Sequence, residues 1–298
     1  MKIPGTSPEI SGEAGENAMK LAEISAGSAA VVGFPFDAFS SFLHGAAEAP
    51  HVIRETFLSP SSNLWTETGL NLEGDGIFAL LGDVQLEGTG RAFAVIESTI
   101  TQLLAHRLRP VSLGGDHSIT YPILRALAKR QRPLTILHFD AHPDLYDEFD
   151  GNRYSHACPF ARIMEEGLAA RLVQVGIRTM NDHLRQQIER FGVEVIEMRH
   201  LSRAAELSFD TPVYLSFDLD CLDPAFAPGV AHHEAGGLST REAINILHSV
   251  TAPVVGADLV EFNPRRDVQG ITAAACARLL KEIIGLIHLN DDARKTAT

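Results

Sequence analysis

Eight short β-branched or apolar runs alternate with seven segments of helical periodicity between residues 30 and 288, and this alternation restricts the fold more than any other feature of the chain. The runs fall at 30–34, 77–81, 110–113, 134–139, 172–176, 193–196, 213–217 and 254–257. The helical segments fall at 49–57, 92–107, 121–130, 155–166, 182–191, 240–249 and 272–288. Most of the runs are apolar at consecutive positions, so the strands they form are expected to be buried on both faces. Strands of that kind lie parallel, joined by right-handed crossovers that place helices on both sides of the sheet. A closed eight-stranded barrel satisfies the same alternation. In either architecture the chemistry belongs at the carboxyl ends of the strands.

At 298 residues the chain is long enough for one large α/β domain or two smaller ones. No linker, internal repeat or low-complexity segment divides it, so one domain over 25–298 is expected. Residues 1–24, rich in Gly, Ser, Glu and Pro at their start, are expected to form a flexible N-terminal arm. The balance of 25 Lys+Arg against 38 Asp+Glu gives a net charge of −13. No basic stripe is available to displace counterions, which disfavours a nucleic-acid partner and favours a cationic small molecule. Cys158, Cys221 and Cys276 are too few and too scattered for a disulfide framework. With no apolar run of membrane-spanning length and no apolar leader in the first thirty residues, a cytoplasmic enzyme without membrane contact is expected.

Three polar clusters interrupt the apolar pattern, each at a strand end. The run 134–139 leads directly into Asp140-Ala141-His142-Pro143-Asp144, three ligand-type side chains at i, i+2 and i+4. On extended backbone these project to one side and can converge on a point beyond the sheet. The run 213–217 ends in Asp218-Leu219-Asp220, and the run 110–113 ends in Gly114-Gly115-Asp116-His117-Ser118. One Asp-x-His after a strand is ordinarily a helix cap beside a surface histidine. Three such clusters in one chain are not, because acids crowded at buried strand ends repel one another unless a cation joins them.

The collected set is His117, Asp140, His142, Asp144, Asp218 and Asp220, two neutral imidazoles and four carboxylates. Their four negative charges match two divalent cations. Carboxylate-rich sites with some imidazole suit Mn²⁺, with Ni²⁺ or Co²⁺ able to use the same ligands. A two-metal site lowers the pKa of a shared water, so hydrolysis is the expected chemistry. The sequence has no Gly-x-x-x-x-Gly-Lys loop to cradle phosphate, which disfavours phosphoryl transfer, although a two-metal phosphodiesterase stays open as a rival. Glu261 follows the run 254–257 within Asp258-Leu259-Val260-Glu261-Phe262-Asn263-Pro264 and can aim a non-ligand carboxylate into the cleft.

The segments 114–118, 140–144, 216–224 and 258–264 resemble the motifs of the ureohydrolase family, the arginases, agmatinases and their relatives. Within it, Pro143, Tyr146, Gly151-Asn152 and Tyr154-Ser155-His156 look most like the plant-type arginases. The resemblance implies a single-domain, three-layer αβα fold on an open, mainly parallel eight-stranded sheet, homo-oligomers of three or six chains, and two Mn²⁺ per chain. It makes the six ligands above the metal ligands, Glu261 the carboxylate that receives a guanidinium group, and His156 a proton shuttle on a flexible loop. Asp144 would also accept a hydrogen bond or proton as the reaction proceeds, and Asp223 would support the ligands from behind. Asp116 is expected to be structural, bonding turn amides.

L-Arginine hydrolysis to L-ornithine and urea is the leading expectation for the reaction. Agmatine, guanidinobutyrate and guanidine are alternative substrates, and a catalytically silent metal-binding subunit of a hetero-oligomer is the alternative from another class. A single-zinc deacetylase on a similar sheet is disfavoured because both acidic ligand pairs are intact. The polar set that animal arginases place after Asp-x-His-x-Asp is replaced here by 145–152. Asn152, Asn181 and His232 are therefore the expected further substrate contacts.

Overall fold

The structure, a computed structural model, describes residues 21–86 and 88–297, the last seven by backbone alone. Every one of the eight expected strands is present: β1 Ala29–Gly33, β2 Phe78–Asp83, β3 Arg109–Leu113, β4 Thr135–Phe139, β5 Arg171–Ile177, β6 Glu194–Glu197, β7 Val213–Asp218 and β8 Val254–Val260. They form one sheet in the order β2-β1-β3-β8-β7-β4-β5-β6, and every pairing is parallel. Among the described residues β2 and β6 are the two edges and do not pair with each other, so the sheet is open and the barrel is excluded.

Among the described residues these helices cover the two faces: α1 Ala49–Phe57, α2 Thr89–Ala105, α3 Thr120–Leu127, α4 Pro159–Glu165, α5 Asp182–Phe191, α6 Thr240–His248 and α7 Ile271–Ala297. Because strand side chains alternate faces, each strand feeds both layers. Val31, Leu113, Leu137 and Leu215 pack with Ile53 of α1, Leu247 of α6 and Ile283 of α7. Ala30, Val32, Ile136 and Leu172 pack with Ile100 of α2, Leu124 of α3 and Phe160 of α4. The result is the expected αβα sandwich, with near-continuous apolar strands explained by burial on both sides.

Element boundaries differ from expectation in places. The helix expected over 155–166 begins at Pro159, whose missing N–H is tolerated in the first turn of a helix and not further in. Residues before it form turns that carry His156 toward the site. Two 3₁₀ turns, kinked at His200 within Met198–Glu206, follow β6 outside the expected helical segments. Most of the expected N-terminal arm lies outside the described residues. Of its last four positions, Leu21 is buried against the core.

Candidate metal centre

The sheet order explains why the three clusters meet. Strands β3, β8, β7 and β4 are consecutive neighbours at the middle of the sheet. Being parallel, they deliver their carboxyl ends to one edge, and those ends carry His117, Glu261, Asp218 with Asp220, and Asp140 with His142 and Asp144. Gly115 makes the β3 turn: a Cβ there would lie 1.8 Å from the carbonyl oxygen of Phe36. The chain crosses that closely because Asp116 N donates to Phe36 O at 2.8 Å. Asp116 itself caps the turn, accepting from Ser118 N at 3.0 Å and Phe39 N at 2.9 Å, as expected for a structural acid. Asp144 and Glu261 both sit at positive φ, 50° and 64°, a backbone region unfavourable to non-glycine residues and often found at working sites.

His117 Nδ1 lies 3.3 Å from Asp140 Oδ2, 3.1 Å from Asp144 Oδ2 and 3.2 Å from Asp218 Oδ2. His142 Nδ1 lies 3.0 Å from Asp220 Oδ2 and 3.4 Å from Asp140 Oδ1. Asp140 thus offers one oxygen to each imidazole. The tautomer of His117 follows from its neighbours. Ser216 Oγ donates to Asp258 Oδ1 at 2.8 Å, so its lone pair must accept from His117 Nε2–H at 3.0 Å. That leaves Nδ1, fully buried and without a hydrogen-bond partner, as a lone pair facing three carboxylates. Ligand atoms around one octahedral cation at about 2.1 Å are themselves separated by roughly 3 Å. The six side chains therefore fit two divalent cations, one beside His117 and one beside His142, with Asp140 between them.

Without such charge, protons must fill the site. Burial and the neighbouring Asp220 and Asp140 push Asp218 well above the ordinary carboxylate range. Burial and then Asp140 raise Asp144 to about 7. Burial opposes the charged form of His142, yet Asp220 and Asp140 lift it well above its usual value. All three shifts make the folded, metal-free chain bind more protons than the unfolded chain between pH 6.5 and 8. Its stability should therefore fall as pH rises across that window. Metal competes with the same protons, so the stabilisation it adds should grow with pH. Thermal unfolding of chelator-treated and metal-loaded protein at pH 6.5 and 8 is expected to show a melting-temperature gap that widens with pH. A gap that narrows would contradict the assignment.

Next to the cluster lies a cavity of about 250 Å³ lined by Asp144, Asp218, Asp220 and Glu261 and, among the described residues, by no Lys or Arg. Glu261 Oε1 accepts from His117 N at 2.8 Å and lies 2.9 Å from His156 Nδ1. Ser41 N, which can only donate, lies 3.1 Å from His156 Nε2, so the proton in that arrangement is on Nδ1 and points at Glu261. Burial disfavours a charged ring, but Glu261 outweighs it and lifts His156 to about 9. A second proton on His156 must displace Ser41. Asn181 and His232 also line the cavity. The Asn181 amide is already committed, its Oδ1 capping α5 through Leu184 N at 2.9 Å and its Nδ2 donating to the Tyr146 hydroxyl at 2.6 Å. His232 is held neutral by burial and by the adjacent His156. Asn152 is not among the residues that line the cavity; its Oδ1 accepts from Tyr154 N within its own turn, so the structure does not bring it to the site.

The structure adds residues to which the sequence assigned no role. Ser112, Asp258, Ser216, His138 and Gln174 stand in register across β3, β8, β7, β4 and β5, all fully buried. They form a polar row beneath the ligands. Ser112, Ser216, His138 and Gln174 were each hidden as a polar position in an apolar run, Asp258 stood just past one, and only the strand order aligns them. Arg178 donates to the carbonyls of Asp220 at 2.6 Å, Cys221 at 3.2 Å and Glu234 at 2.6 Å, tying the β7 ligand turn to the cavity rim. Asp223 accepts from Ala225 N, Gly236 N and Gly237 N, so its carboxylate holds the rim and not the ligand side chains themselves.

The family model described as "Arginase family" matches residues 27–285, nearly the whole described chain. The chain belongs to the arginase family. Over 277 residues it is 48% identical to "Arginase 1, mitochondrial" of Arabidopsis thaliana, covering 87% of this chain and 81% of that one. The "Guanidinobutyrase" of Pseudomonas aeruginosa is 36% identical over 284 residues, covering 88% and 87%. Among solved structures, "Arginase from Medicago truncatula" superposes with a TM-score of 0.84 at 44% identity, covering 92% of this chain and 91% of that one. The Arabidopsis relative is named for the mitochondrion, which overturns the expected cytoplasmic location. That expectation rested on the lack of an apolar leader, a criterion that detects secretory signals and not the amphipathic transit type.

Proposed function

We propose that this chain hydrolyses L-arginine to L-ornithine and urea on two Mn²⁺ ions. The observation that carries the reading is the cavity whose charged lining, among the described residues, is acidic apart from its histidines, placed directly against a cluster of six candidate ligands. Such a cavity selects a cation, and the match to arginases specifies a guanidinium. His117, Asp140, Asp144 and Asp218 would hold one ion and Asp140, His142, Asp218 and Asp220 the other. Two divalent cations there supply a water nucleophile ionised near neutral pH. The four carboxylates favour Mn²⁺ over thiophilic metals, with Ni²⁺ or Co²⁺ able to occupy the same donors.

The chain's own residues do the rest. Glu261 receives the guanidinium and fixes its carbon over the cluster, exchanging its hydrogen bond from His156 for one from the substrate. His156, released toward the leaving amine, delivers a proton there, while Asp144 accepts one from the attacking side. Ser41, Thr179, Asn181 and His232 surround the outer cavity, where the amino-acid end of arginine would lie. Asn181 reaches it only by giving up its bond to Tyr146. A homo-oligomer of three or six chains, with a domain beginning near residue 25, completes the proposal.

The test is urea release by Mn²⁺-loaded protein from arginine, agmatine, guanidinobutyrate, guanidinopropionate and guanidine at equal concentrations. The expected result is urea with equimolar ornithine from arginine, at a kcat/KM at least tenfold above the others. Preference for guanidinobutyrate would assign the outer cavity to a guanidino acid lacking the α-amine. No urea from any of them, with both metals bound, would indicate a silent subunit.

A further inference from the structure

Beneath the ligand Asp140, a hydrogen-bond chain fixes the protonation of a buried histidine outside the six-ligand set. The carbonyl oxygen of Pro143 can only accept, and Gln174 Nε2 lies 2.7 Å from it, which establishes that this end of the Gln174 amide is the NH₂ group. The same nitrogen is 3.0 Å from His138 Nδ1, so Nδ1 accepts. A neutral His138 then carries its proton on Nε2, 2.8 Å from Asp140 Oδ2. His138 and Gln174 are both fully buried, and the Phe160 ring lies against His138 with centroids 4.0 Å apart. The imidazole has little freedom to turn.

Proximity alone admits another role, because His138 lies close enough to His117 and Asp140 for the three to be grouped as metal ligands. The hydrogen-bond directions decide against it: a nitrogen that bears a proton has no lone pair for a cation. Asp140 Oδ2, the oxygen that His138 holds, is also the one facing His117, while Oδ1 accepts from His142 N at 2.6 Å and faces the other imidazole. Donors on both oxygens set the plane of the one carboxylate that spans the two cation positions.

We propose that His138, with its tautomer set by Gln174, is a positioning residue that orients Asp140 to bridge the two metal ions. The inference rests on the dinuclear reading above and extends it to two residues that touch neither substrate nor metal. Outer-shell partners of this kind typically change metal affinity or activity by about 10–100-fold.

His138→Gln places an amide N–H near the position of the imidazole Nε2–H, whereas His138→Phe preserves the flat shape against Phe160 and removes the donor. Mn²⁺ affinity is read by chelator competition, and the spin-coupled signal of a Mn²⁺ pair by electron paramagnetic resonance, on the full chain and both variants. The expected outcome is that His138→Gln binds two Mn²⁺ within about threefold of the parent affinity and keeps the coupled signal. His138→Phe should weaken one Mn²⁺ by roughly 10–100-fold and lose the coupled signal. Should His138→Phe fail to fold, Gln174→Leu, which frees the tautomer without touching His138, is expected to weaken the coupling in the same direction. Parent-like affinity and signal in His138→Phe, or in Gln174→Leu, would overturn the proposal. Equal damage in His138→Gln and His138→Phe would also overturn it, because the imidazole itself would then be the ligand. A parent chain that binds fewer than two Mn²⁺ would instead defeat the dinuclear reading, and the bridging role with it.

Discussion

Asp220→Asn is expected to bind one Mn²⁺ instead of two and to lose at least about 10³-fold in kcat, since a two-metal site loses its activated water when either ion is missing. The substitution is chosen because the fold can accommodate it. Asp220 Oδ1 accepts from Ala141 N at 3.1 Å, and the asparagine carbonyl can keep that bond. Oδ2, 3.0 Å from His142 Nδ1, is the atom whose charge the second ion needs. An amide nitrogen there cannot ligate, and three carboxylates no longer balance two divalent cations. Metal analysis and urea release on the same sample check the result. Full turnover at two metals per chain would remove Asp220 from the ligand set.

Glu261→Gln separates substrate binding from metal binding. Glutamine can accept the hydrogen bonds from His117 N and His156 Nδ1 that now fall on Oε1, so the β8 turn should survive. What it lacks is the charge that opposes a guanidinium. Removing one partner of a buried charge pair costs about 2–5 kcal/mol, so kcat/KM for arginine should fall roughly 30- to 5,000-fold with both metals retained. Steady-state kinetics with parallel metal analysis distinguish the outcomes. Unchanged kcat/KM would show that the cation is received elsewhere. Loss of metal would make Glu261 part of the cluster rather than of the substrate pocket.

The six candidate ligands were legible because each follows a strand whose apolar residues announce it. The spacing Asp140, His142, Asp144 is a strand-end pattern that no core position requires. The sheet was legible for the same reason, down to eight strands displaced by no more than three residues at either end. The polar row was not. Ser112 meets Asp258, and Ser216 meets His138, only because β8 and β7 insert between β3 and β4. Sequence periodicity carries no information about that order. Ser41 escaped for a related reason: it comes from the loop after β1 and reaches His156 across 115 positions of sequence. The α4 start was misplaced by reading helical periodicity through Cys158-Pro159, where the proline marks the first turn. Asn152 entered as a substrate contact through likeness to relatives, and its own turn claims the side chain.

The central claim is that two cations occupy the carboxyl ends of β3, β8, β7 and β4 with Asp140 between them. Anomalous diffraction at the manganese edge from crystals of the Mn²⁺-loaded chain tests it most directly. Two peaks are predicted, one within bonding distance of His117 Nδ1 and one of His142 Nδ1, each bonded to a different oxygen of Asp140. A single peak, or two peaks that do not share Asp140, would contradict it.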